Sequence, residues 1–122
     1  MKILSEEQLN DAVGMWEHCY WGVINLPQAE WDNFKMFTVD LAYNNYGDST
    51  ATEAEEYLTD ERKSLKDQGL PHLTVNRSQL HKASIMLIKE HPQLATDLLT
   101  NPDSVITETL FQFALFGETI FG

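Results

Sequence analysis

Residues 110–116, Leu-Phe-Gln-Phe-Ala-Leu-Phe, are apolar at six of seven positions, and this run constrains the fold more than any other feature of the chain. A helix that is apolar on nearly every side has to be enclosed. In a chain of 122 residues the cover comes either from the rest of the same domain or from a second copy. The wider stretch 105–121 is interrupted by Glu108, Gln112 and Glu118 and falls short of the ~20 apolar residues that cross a bilayer. It therefore reads as a core helix, and no membrane association is expected. Surface scaling lets a chain of this mass bury roughly two-thirds of its extended surface, so one domain over 1–122 can hold such a helix without metal or disulfide staples.

The covering faces are legible as helical periodicity. Leu9, Val13, Trp16, Tyr20 and Val23 follow the i, i+4, i+7 spacing of one helix face, and Ser5 with Gln8 forms a capping box ahead of it. This predicts a helix over about 6–24, stopped at Asn25-Leu26-Pro27. A second helix is expected over 28–46, with Trp31, Phe34, Phe37 and Leu41 on one side and Met36, Val39, Tyr43 and Tyr46 on another; apolar on two sides, it should be central. Thr50 or Thr52 caps a third, acidic surface helix over 53–68 that Gly69 closes. Thr74 or Asn76 caps a fourth to about His91, with Leu80, Ala83, Leu87 and Ile88 inward. Pro92 opens a short fifth to about Leu99, and Asn101-Pro102-Asp103 precedes the last, to about Phe121. No stretch alternates for long enough to argue a strand. The expected fold is all-α, a compact bundle of about five or six helices, in which the second and last helices are the most buried.

Charge excludes several functions. With 19 Asp and Glu against 8 Lys and Arg, the formal net charge is -11. Such a body repels nucleic-acid phosphates, so direct nucleic-acid binding is not expected. The fourth helix is the one basic element, carrying Arg77, Lys82 and Lys89, while the final 31 residues hold no Lys or Arg. The three cations either offset acidic neighbours or form a small anion-contacting face. A lone Cys19 closes no intrachain disulfide, and MKILSEEQLN lacks the apolar run of a signal peptide; the expected compartment is the cytoplasm.

The residues that carry chemistry do not assemble into a motif. Glu17-His18 and Glu90-His91 are adjacent pairs, about 100° apart on a helix rather than on one face, and His72 and His81 are isolated. Glu53-x-x-Glu56 is half of an acidic magnesium-binding pattern whose second half is missing. Cys19 lies on or near an apolar stripe, where a thiol is normally inert. There is no nucleophile elbow, phosphate-cradling loop or dinucleotide fingerprint. No catalytic residue, metal or cofactor is assigned, and an enzyme of unrecognised type is the weakest of the functional readings.

Aromatic content points to contact with another protein. Six Phe, three Trp and four Tyr exceed what the apolar stripes place inside. Trp and Tyr beside acids make a typical anchor surface. The expected partner-binding residues are Glu17, Trp21, Trp31, Asp32, Tyr43 and Tyr46. The leading reading is thus a small acidic protein-binding module of the inhibitor, immunity, adaptor or mobile-element regulator kind, steered to a basic partner. A nucleic-acid-mimicking inhibitor is the alternative, and a homodimer through the C-terminal helix is the competing use of the apolar surface.

Overall fold

A computed structural model of the chain describes residues 3–15, 23–41, 55–101 and 103–120. Among these the fold is mostly helical, with a small three-stranded antiparallel sheet. In chain order come α1 (Glu6–Met15), β1 (Val23–Asn25), a 3-10 segment (Gln28–Asn33), β2 (Met36–Asp40), α2 (Asp60–Asp67) and β3 (Thr74–Asn76). These are followed by α3 (Arg77–Glu90), a 3-10 turn (Pro92–Leu94), α4 (Ala95–Thr100) and α5 (Ser104–Phe116).

The helix starts at Ser5 and Asn76 fall where the sequence puts them, while the last helix is capped by Asp103 rather than by the Asn101 that precedes Pro102. The Ser5 amide donates to Gln8 Oε1 at 2.7 Å and the Gln8 amide to Ser5 Oγ at 3.1 Å, the reciprocal box that satisfies two otherwise free donors. Asn76 and Gln79 repeat the device at the start of α3. The Asp103 carboxylate accepts from the Ile106 amide at 2.8 Å to open α5. That helix ends earlier than the apolar run suggests, at Gly117, whose φ of 73° is the left-handed geometry a glycine takes up cheaply.

The expected second helix is replaced by other structure over its described part. Residues 28–33 form the 3-10 segment, Phe34 is extended, and β2 follows. Along β2, Phe37 and Val39 are buried while Met36, Thr38 and Asp40 are exposed, the two-residue period of a half-buried strand. The same apolar residues also fit a helical stripe, and for a run this short periodicity does not discriminate. The first helix is likewise not continuous to 24, because residues 23–25 pair with β2: Val23 opposes Asp40, Ile24 opposes Val39 and Asn25 opposes Thr38. Trp16, Cys19 and Tyr20 lie outside the described residues. The third helix is shorter than expected: Thr59 caps α2, its hydroxyl accepting from the Arg62 amide.

The core lies between α5, α3 and the inner face of the sheet. Phe111, Leu110 and Leu115 of α5 are fully enclosed, as are Leu80 and Leu87 of α3, Val39 and Val75 of the sheet, and Leu9 and Val13 of α1. Phe37 links sheet to helix, its ring 5.4 Å from Phe34 and 5.7 Å from Phe111, centroid to centroid, both tilted as aromatic pairs prefer. The enclosure that residues 110–116 demand is supplied within one chain. No described helix is long and apolar enough to cross a membrane.

Candidate functional site

The sheet order β1-β2-β3 leaves β3 at an edge. Residues facing each other across an antiparallel pair alternate between bonded and unbonded. Because the Val39 amide donates to the Leu73 carbonyl at 2.8 Å, the backbone groups of Thr74 turn away from β2. They meet Arg62. One terminal nitrogen of its guanidinium donates to the carbonyls of His72 at 3.0 Å and Thr74 at 2.9 Å; the other donates to Ala114 at 3.2 Å. The Asn76 amide, also on this edge, donates to Gln79 Oε1 at 2.9 Å. Side chains of α2 and α3 thus occupy the sheet edge, and Arg62 ties β3 to the end of α5. Only 5% of Arg62 is exposed; burial pushes its guanidinium below the ordinary value, with the charge of Glu61 acting in the opposite direction.

Beside this junction the surface opens into a groove of about 620 Å³. Its floor is Arg62, Ala83, Phe113 and Ala114, and its walls are Leu65 of α2, Leu70 and Pro71 from the turn after it, Met36 of β2, and Lys82 and Met86 of α3. Met36, Leu70 and Met86 are 57%, 47% and 37% exposed. Three residues distant in sequence therefore place large apolar side chains around one concavity. Near the other end of α2, the Lys66 ammonium donates to Glu55 at 2.8 Å, and that hydrogen bond holds it above its usual pKa.

Of the residues expected to bind a partner, Trp31 and Asp32 are described. Trp31 is partly buried against the core; its indole N–H donates to the Leu26 carbonyl at 3.1 Å. A Cβ at Gly14 would sit 3.4 Å from its ring, so α1 packs closely against the indole at this point. Asp32 is exposed, with its carbonyl accepting from Asn10 at 2.8 Å. Glu17, Trp21, Tyr43 and Tyr46 lie outside the described residues. Trp31 and Asp32 sit in the connection between β1 and β2.

Sequence reasoning missed Arg62 and the groove. Arg62 follows Asp60 and Glu61 in an acidic helix start and looks like a surface ion-pairing residue. A usable signal was Leu70, an apolar residue isolated between Gly69 and Pro71 in a turn, where burial is not expected. Arg77 also turns inward: it donates to the Phe34 carbonyl at 2.7 Å and to the Glu6 carboxylate at 2.9 Å, and its guanidinium carbon lies 4.1 Å from the centre of the Phe34 ring. Among the described residues no three His, Cys, Asp or Glu side chains are grouped so as to hold a metal ion.

Together these features define, among the described residues, a mostly helical fold with a small edge-capped sheet, an acid-rich exterior and an apolar groove. Compared with family models, curated proteins and solved structures, the chain matches none.

Proposed function

We propose that the chain is a small acidic protein-binding module of the cytoplasm, acting by direct contact with a basic partner. One observation carries the reading: the acids and the arginines are partitioned between outside and inside. No described Asp or Glu is buried, whereas both arginines of the chain, Arg62 and Arg77, are committed to internal bonds. The surface is therefore more acidic than the composition alone implies, and a field of that sign accelerates encounter with a cationic surface. Trp21 and Tyr43, expected from the sequence as aromatic anchors, would act within that field.

The test is capture of a partner from the native lysate, with identification by mass spectrometry and repetition at rising salt. A basic partner that is lost as salt increases, and whose capture is weakened by Trp21→Ala and Tyr43→Ala with melting temperature nearly unchanged, supports the reading. Displacement of that partner by double-stranded DNA would move it to nucleic-acid mimicry. Light scattering after size exclusion decides whether a homodimer through α5 is the actual assembly. If neither substitution alters capture, this surface is wrongly assigned.

A further inference from the structure

We propose that the groove between α2, α3 and the sheet edge binds a single small amphipathic anion, a medium-chain carboxylate. Its headgroup would lie at Lys82 and its chain along Met36, Leu70 and Met86. This is independent of the acidic surface assigned above.

Size is the first argument. A groove of about 620 Å³ falls within the ~300 to 1,000 Å³ of small-molecule sites. Apolar exposure is the second. Met36, Leu70 and Met86 are among the large apolar side chains exposed on the described surface, and all three line this one concavity. Scattered exposed apolar residues need no explanation, but gathered ones do. Two of the three are methionines, whose unbranched, polarisable chains adapt to a flexible apolar ligand.

Charge fixes the class. Among the described residues, the charged ones lining the groove are Glu61, Arg62 and Lys82, a local excess of one positive charge in a chain of net -11. Arg62 keeps its share of this charge, because its described side-chain bonds all go to neutral carbonyls, which orient the guanidinium without cancelling it. Three of the five N–H groups of an arginine are used in this way. The fourth helix, basic in sequence, contributes Lys82 here, since Arg77 is engaged inside. A polyanion or an anionic bilayer would have to approach the whole acidic body, which repels it over a Debye length. A monoanion that enters the groove meets mainly the local field.

The experiment is a titration of the isotope-labelled full chain with decanoate below its micelle concentration, followed by amide chemical shifts, beside parallel titrations with 1-decanol and decylammonium. The expected result is saturable decanoate binding with the largest shifts at Leu70, Lys82 and Met86, decanol about tenfold weaker, and no saturation by decylammonium. Lys82→Gln should weaken decanoate about tenfold, the loss of one charge-assisted hydrogen bond, and leave decanol unchanged. Met86→Glu, at an exposed position that does not threaten folding, should abolish both, with circular dichroism confirming the fold. The proposal is overturned if decanoate fails to saturate, if decylammonium binds as well, if the shifts map elsewhere, or if Lys82→Gln binds decanoate like the parent. Association with phosphatidylglycerol vesicles in the absence of monomer binding would overturn it too.

Discussion

Arg62 shows how much a single side chain can carry when its donors are matched to fixed acceptors. Its guanidinium serves the carbonyls of His72, Thr74 and Ala114, groups that would otherwise be stranded at the meeting of α2, β3 and α5. Stranding a buried acceptor costs about 1 to 3 kcal/mol. Arg62→Ala is therefore expected to destabilise the protein by about 3 kcal/mol, read as a lower midpoint in a urea titration; a loss below about 1 kcal/mol would mean that water replaces the guanidinium. Arg62→Lys should recover only part of this, since a compact ammonium cannot span three carbonyls as the planar fork does. Lys66 is the contrast. Its pKa is raised by the Glu55 hydrogen bond, so any stability it contributes is present below the ordinary value of 10.5 and is lost as pH rises through the raised one. Because the pair is solvent-exposed, Lys66→Met should leave the melting temperature at pH 7 within about 1 °C.

The secondary-structure elements divide by how locally their signals are written. Asn76 and Gln79 set the start of α3 through mutual hydrogen bonds of 2.8 and 2.9 Å. Asn76→Ala is expected to cost about 1 kcal/mol by the same titration, and Gln79→Ala less, because it leaves the Asn76 cap in place. Caps of this kind are complete within four residues, and that is why α3, α5 and the start of α1 were legible from sequence. The strands were not. β1 and β3 have three residues each, and their identity rests on register with β2 rather than on their own pattern. Phe37, Val39 and Leu41 alternate with Thr38 and Asp40, yet Trp31, Phe34, Phe37 and Leu41 fit a helix equally well; only pairing with Ile24 and Val75 decides between them. The groove was illegible for a related reason, since Met36, Leu70 and Met86 come from three elements and meet only after folding. The importance of Asp32 and Trp31 was argued from composition, and for Trp31 the structure adds a packing role beside Gly14.

At the scale of the whole molecule, the partition that turns acids outward and both arginines inward has a thermodynamic consequence. Like charges distributed over a compact surface repel one another and destabilise the folded state relative to the expanded chain, in which they are further apart. With a net charge of -11 this repulsion is long-ranged at low salt, where the Debye length is about 30 Å, and short-ranged at 0.1 M, where it is about 10 Å. The opposing effect is loss of favourable pairs. Glu6–Arg77 and Glu55–Lys66, among the described residues, are exposed enough for solvent to weaken them. Repulsion among many charges outweighs such local attractions, so the melting temperature is expected to rise by several degrees between 10 and 150 mM sodium chloride, equivalent to about 1 kcal/mol for a domain of this size. Potassium chloride should give the same rise, since screening depends on ionic strength and not on the cation. A melting temperature that falls as salt is added would mean that the ion pairs joining α1 to α3 and Glu55 to α2 dominate the electrostatics, and that the outward acids are too far apart to repel.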